Sequence, residues 1–300
     1  MAKRRSRVRS NRKDRTLAAG YRGVYINLDR AADRRKRMDE QLEALGLDEA
    51  YVRLPAVDGR TLGVEYAGAI GCYRSHAAAV RLACGSDVPV NIVEDDTRLS
   101  PLLPPFVRYA GESGLLERYD IVFTELWVDP GLDAVTACEE VLRSWLRSAR
   151  NGPNDYRVVD ARDHRIGAMS SYIVGASGAQ RLSDILEEHI ESPPGAVDAF
   201  IDHCVHAGRL RAAVVIPFLT VADAEFAALS DIQDIGADLN RFMLRLREAF
   251  FVESADGARS RRWAEAELAV AYRRLGEAPA RLAFLRRFRD LLEERQTGGD

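Results

Sequence analysis

The feature that most constrains this chain is the junction where Val88–Val93, apolar on both faces, stops at Glu94-Asp95-Asp96. A strand apolar on both faces must be covered on both sides, which is the place of a central parallel strand in an α/β sheet. The neighbouring pattern agrees. Val24-Tyr-Ile-Asn-Leu28 reads as a buried strand. Asp29 can cap the helix that follows, whose apolar face is Met38, Leu42 and Leu45 and whose end is marked by Gly46. After Gly68 and Gly71 a second, Ala-rich helix is expected over Tyr73–Ala83. Further strands are expected at Ile121–Val128 and Ser171–Val174, the latter followed by Ser177-Gly-Ala-Gln180 as the capping box of a helix through Leu186. Strands and helices in alternation predict an α/β sheet domain with helices on both faces.

Composition sets the limits of this domain. At 300 residues, with 47% hydrophobic and 30% charged side chains, the chain fits neither a disordered nor a collagen-like protein. Its longest apolar stretches, such as Ala212–Leu219, fall far short of the roughly 18 residues that span a bilayer. No apolar run follows the basic start, so neither a secretory signal nor a membrane span is expected. The net charge of −3 is uneven: residues 1–15 hold eight Lys or Arg against one acid, Asp14. That arm, residues 1–16, reads as disordered and solvated, with anionic lipid as a possible contact and no nucleic-acid partner expected. Cys72, Cys84, Cys138 and Cys204 form no CxxC pair, which suits free thiols in a reducing compartment. The expected place of action is the cytoplasm, at most peripheral to a membrane surface.

Residues 17–224 hold the sheet domain, within which Ala149–Gly167 is polar and turn-prone and reads as a long excursion. Residues 225–300 change to helical spacing, as in Leu239, Phe242, Met243 and Leu246, and form a helical extension.

The three acids carry the chemistry of the reading. Composition alone produces such a triplet by chance, and acids on a solvated loop look the same. Position distinguishes them, because open α/β sheets bind ligands at the carboxyl ends of their strands. Clustered carboxylates raise one another's pKa unless a cation intervenes. Hard oxygen ligands favour Mg²⁺ or Mn²⁺, which take further ligands from water and substrate phosphates. Strand alternation sets Glu94 and Asp96 on one side and Asp95 on the other, so the expected metal ligands are Asp96 first and Glu94 next. Arg30, Arg34 and Arg35 lie in the opening turns of the first helix, where they oppose the helix dipole unless an anion binds there. Guanidinium groups also match phosphate oxygens in a bidentate fork.

Several blocks together resemble glycosyltransferase family 25, the lipooligosaccharide and collagen galactosyltransferases. They are Ile26-Asn-Leu-Asp-Arg30-Ala-Ala-Asp33-Arg34, Ala56-Val-Asp58-Gly59, Gly68-Ala-Ile-Gly71-Cys-Tyr-Arg-Ser75-His76 and Val93-Glu94-Asp95-Asp96. Downstream, Gly167–Ala179 and Val197-Asp198 continue the pattern. The resemblance implies a GT-A type sheet domain, a UDP-sugar donor, usually UDP-galactose, and transfer of the hexose to a hydroxyl of a glycan or other acceptor with inversion. It implies Mn²⁺ or Mg²⁺ at Glu94, Asp95 and Asp96, and Asn27, Arg30, Arg34, Asp58, Ser75 and His76 around the nucleotide. Ala69 stands where the family commonly has an acid, and Tyr73-Arg74 precedes Ser75, both departures from the pattern. Inversion needs a base opposite the leaving group, and Asp198 is the candidate.

Two other readings stand beside this one. Asp198, Asp202 and His206 recur every fourth residue on one helical face and would serve a metal hydrolase. Alternatively the sheet domain is a non-catalytic scaffold, with the basic arm and the helical extension binding partners. His203 and His206 also suit ordinary surface or core packing, and Ser75 and His76 a helix start.

Overall fold

The fold grows from its first strand, β1 (Arg22–Asn27), in which every residue after Arg22 is buried. It is flanked by β2 (Tyr51–Pro55) and β3 (Val90–Glu94), both parallel to it. The structure is a computed structural model that describes residues 20–126, 157–163, 167–216, 218–223, 247, 248 and 251. Four more strands, β5 (Ile121–Phe123), β6 (Arg157–Asp160), β7 (Ser171–Val174) and β8 (Ala212–Ile216), complete a seven-stranded sheet of order β2-β1-β3-β7-β5-β8-β6. It is mixed, because β7 runs antiparallel to both β3 and β5, and β6 antiparallel to β8. Thus β3 is parallel to one neighbour only, and the expectation of parallel pairing holds on its β1 side alone. A separate antiparallel pair joins β4 (Thr97–Leu99) to β9 (Thr220–Ala222).

Helices flank the sheet: α1 (Ala32–Ala44), α2 (Ala67–Ala83), α3 (Leu103–Glu112), α4 (Leu115–Arg118), α5 (Ala176–Glu187) and α6 (Val197–His206). The chain passes from β1 to β2 on one side and returns across β1 to β3 on the other. Right-handed crossovers therefore set α1 and α2 on opposite faces. Met38 and Leu42 of α1 are buried, Leu45 packs on the core, and Gly46 takes the left-handed turn, all as the spacing predicts. This is an α/β architecture compatible with Rossmann-like sheets.

Helix starts differ from the sequence expectation, and the reasons are tertiary. Asp29 caps nothing. Its carboxylate pairs instead with Arg53 of β2, and α1 begins after Ala31 without a side-chain cap. The second helix begins at Ala67 rather than Tyr73, so that Gly68 and Gly71 lie inside it. Ser177 is likewise inside α5, whose cap position is Gly175, because the helix starts almost directly from the end of β7. Part of the expected excursion Ala149–Gly167 is edge strand β6, followed by a 3₁₀ turn at Ala161–Asp163.

The strand expected at Ile121–Val128 is confined to Ile121–Phe123, and Trp127 and Val128 lie outside the described residues. So do the basic arm, Cys138 and the helical spacings placed beyond Ala224, apart from Arg247, Glu248 and Phe251. Among the described residues, no helix is long and apolar enough to cross a membrane.

Candidate functional site

Parallel β1, β2 and β3 deliver their carboxyl ends to one edge of the sheet. Chain order reverses direction there, between β1 and β3. Open α/β sheets form a ligand crevice at such a point, because the two following loops part to opposite faces. A cavity of about 370 Å³ lies at this place. Ile26 and Leu28 from β1 and Ala56 and Val57 after β2 give it apolar wall, and Arg30, Arg34, Asp58 and Arg60 line it with charge. Helix α2 contributes Cys72, Ser75 and His76, and the β3 end contributes Glu94, Asp95 and Asp96. Of the site residues that the family resemblance implies, together with the candidate base, all but Asn27 and Asp198 line this one cavity; Arg35, Asp202, His203 and His206 do not.

Asn27 acts one layer beneath. It is buried at the end of β1, and its Nδ2 donates to Asp95 Oδ2 at 2.6 Å. Its Oδ1 accepts from Arg53 Nε at 2.8 Å, so the amide is held from both sides. Arg34, on the first turn of α1, lies 3.2 Å from Asp95 Oδ1 and 3.4 Å from Asp96 Oδ2. Arg30 donates through Nε to Asp58 Oδ2 at 2.9 Å. Asp58 also accepts from the Arg60 amide, and that bond, with Arg30 behind it, holds its carboxyl below the usual range.

The Ala56–Gly59 wall is stapled to α2. Ser75 Oγ accepts from Val57 N at 2.8 Å and donates to Gly71 O at 2.7 Å, so Ser75 is a mid-helix clamp rather than a helix start. Gly71 permits the approach, since a Cβ there would stand 2.6 Å from the Val57 carbonyl oxygen.

The acidic trio separates into three environments. Glu94 Oε1 lies 3.0 Å from His76 Nε2 and 3.8 Å from Cys72 Sγ. Burial pushes the Glu94 carboxyl up, but His76, Arg34 and Cys72 together outweigh it and hold the group below its ordinary value. Asp95 is tied to Asn27 and Arg34, yet burial keeps its pKa raised. Asp96 is pushed up to about 7 by burial and then by the charges of Glu94 and Asp95. Its Oδ1 is buried without a hydrogen-bond partner. A buried, unsatisfied carboxylate oxygen among like charges is the kind of group that a cation or a proton neutralises.

Asp198 stands in the first turn of α6, where Oδ2 accepts from Ala168 N at 3.1 Å. Its charge reaches the cavity wall. Burial pushes the Cys72 thiol well up, and the charges of Glu94 and Asp198 add to the effect. The hydrolase set does not assemble. His206 is exposed and bonds its own helix at Asp202 O, while Asp198 is turned to Ala168. Among the described residues, the group that brings three ligand atoms together is Cys72, His76 and Glu94, within 4.8 Å of one another.

Sequence reasoning passed over Cys72 and Arg60. Cys72 had a readable signal, the four-residue interval to His76 that puts both on one helical face. The protein families and curated proteins compared with this chain include no match to it. The likeness to family 25 therefore rests on the sequence blocks alone.

Proposed function

We propose that the chain is a metal-dependent inverting glycosyltransferase that moves a hexose, galactose being the expected one, from a UDP-sugar to a hydroxyl of a glycan or other acceptor. The observation that carries this reading is the cavity at the β1/β3 reversal, lined by Arg30, Arg34 and Arg60 and by Asp96, whose Oδ2 lies 3.4 Å from Arg34 while its Oδ1 is buried without a hydrogen-bond partner. The ordered blocks shared with family 25 support it, and with them a GT-A type domain. The donor set suits a hard cation, Mn²⁺ or Mg²⁺, which takes one or two carboxylates and completes its shell from phosphate oxygens. Asp96 would hold it; Asp95, already bonded to Asn27 and Arg34, positions the turn. When bound, such an ion stabilises the negative charge that develops on the leaving diphosphate.

The chain's own residues do the rest. Arg34 and Arg30 exchange their carboxylate partners for phosphate oxygens, which guanidinium forks match in geometry. Val57 and Ala56, fixed by Ser75, hold an apolar wall against the nucleotide. Asp198, which stands outside the cavity lining with Oδ2 on Ala168 N, is the residue to which this reading gives the proton of the acceptor hydroxyl. Cytoplasmic action, with the basic arm on anionic lipid, belongs to the same reading.

Release of UDP from a panel of UDP-sugars, with and without Mn²⁺, tests it. The expected result is metal-dependent release with one sugar, reduced in Asp96→Asn by on the order of 10²-fold or more. Release unchanged in Asp96→Asn sinks the reading. Failure of every UDP-sugar to react or bind favours the scaffold instead.

A further inference from the structure

Behind the phosphate wall of the cavity lies a second set of ligands of a different chemical character. Cys72 and His76 are one turn apart on α2 and face the end of β3, where Glu94 Oε1 lies 3.8 Å from Sγ and 3.0 Å from Nε2. All three ligand atoms fall within 4.8 Å of one another. A tetrahedral ion with bonds of about 2.3 Å to sulfur and about 2.0–2.1 Å to nitrogen or oxygen spaces its ligand atoms about 3.3–3.6 Å apart. The two separations to Glu94 bracket that edge length, and with Sγ and Nε2 within 4.8 Å of each other, side-chain rotation brings the third edge to it.

We infer that Cys72, His76 and Glu94 form a binding site for a borderline transition-metal ion of the Zn²⁺ class, distinct from the hard-cation position at Asp96. Three protein ligands of mixed sulfur, nitrogen and oxygen type leave the fourth position of a tetrahedron open. Here it opens toward the cavity, which all three residues line. The orientation of the imidazole is fixed from behind. His76 Nδ1 lies 3.1 Å from the hydroxyl of Tyr172, a fully buried residue of β7. With an ion bound, the ring proton moves from Nε2, where it serves Glu94, to Nδ1 and is donated to that hydroxyl, so that the Nε2 lone pair points at the cluster, the arrangement by which outer hydrogen bonds prepare a metal-binding histidine. Thiolate and imidazole select Zn²⁺ or Co²⁺ over Mg²⁺ and Mn²⁺, so the two positions sort their cations by ligand softness. Glu94 thereby belongs to the inner site, and Asp96 to the outer one.

Cobalt titration of the full-length protein tests the inference, because a thiolate bound to Co²⁺ gives a charge-transfer absorption in the near ultraviolet. The expected result is one equivalent of Co²⁺ with that band, displaced by Zn²⁺ but not by Mg²⁺. Cys72→Ser should abolish the band, and Tyr172→Phe should keep it while weakening Zn²⁺ binding roughly 10-fold. Asp96→Asn should leave the band intact even where UDP release fails, which separates this site from the transferase reading. Absence of the band in the unaltered protein, or its persistence in Cys72→Ser, overturns the inference.

Discussion

Asp120 shows how a single side chain holds the far end of the sheet. It is buried at the start of β5 and accepts from Arg211 Nη2 at 2.7 Å and from the Arg211 backbone amide at 2.9 Å. Burial pushes its carboxyl up, but the Arg211 bonds outweigh this and hold it below the ordinary value. A depressed carboxylate stabilises the fold at pH values above its unfolded pKa, about 4, and that contribution is lost as pH falls through the lower folded value. Asp120→Asn should therefore cost about 2 kcal/mol at neutral pH, discounted from a fully buried pair because Arg211 is partly exposed. The deficit should shrink as the solution is acidified below about pH 4. Denaturant titrations of both proteins across that range check it, and a deficit independent of pH would count against the pairing.

At the scale of elements, the cavity wall depends on how closely α2 meets the loop after β2. Gly71 and Gly59 both sit where a side chain has no room; a Cβ on Gly59 would stand 2.1 Å from the Ala67 carbonyl oxygen. Gly71→Ala should destabilise by about 1–3 kcal/mol through overpacking. Under the proposed transferase activity it should also lower kcat/KM for the UDP-sugar by on the order of 10²-fold, because the displaced wall carries Val57 and Asp58. Steady-state kinetics beside thermal unfolding separate the two effects, and kinetics unchanged in a destabilised protein would show that the wall does not position the donor. The same elements show what a sequence can reveal. Ser171–Val174 was readable to the residue because its Tyr-Ile-Val is aromatic and β-branched, too short for a helix, and closed by Gly175. Helix starts were not, since Asp29 finds Arg53 and Ser177 follows a strand too closely to cap. In the site, Glu94, Asp95 and Asp96 were legible by their place at a strand end. Their separation was not, because the partners come from elsewhere in the chain: Asn27 for Asp95 and His76 for Glu94.

Across the whole molecule, a buried ion pair joins two residues far apart in the chain, Arg247 and Glu125, the latter just after β5. Arg247 Nε donates to Glu125 Oε2 at 3.0 Å, both residues are buried, and Ser170 Oγ also donates to Glu125. Beside them Arg98 stacks over the Phe251 ring at 5.1 Å. Removing one partner of such a pair leaves an uncompensated charge in a low-dielectric interior. Arg247→Ala should cost about 3–5 kcal/mol, with partial recovery in the Glu125→Gln double variant. Chemical denaturation of the three proteins reads this, and an additive double variant would contradict it. Glu125 also adds to the field that raises Asp96, so the partner of Arg247 contributes to the electrostatics of the candidate site.

The most direct measurement is a calorimetric titration of the full chain with UDP, in the presence and absence of Mn²⁺, for the unaltered protein and Asp96→Asn. The account predicts uptake that requires Mn²⁺ and disappears in Asp96→Asn. Uptake that ignores the ion, or survives the substitution undiminished, would contradict it.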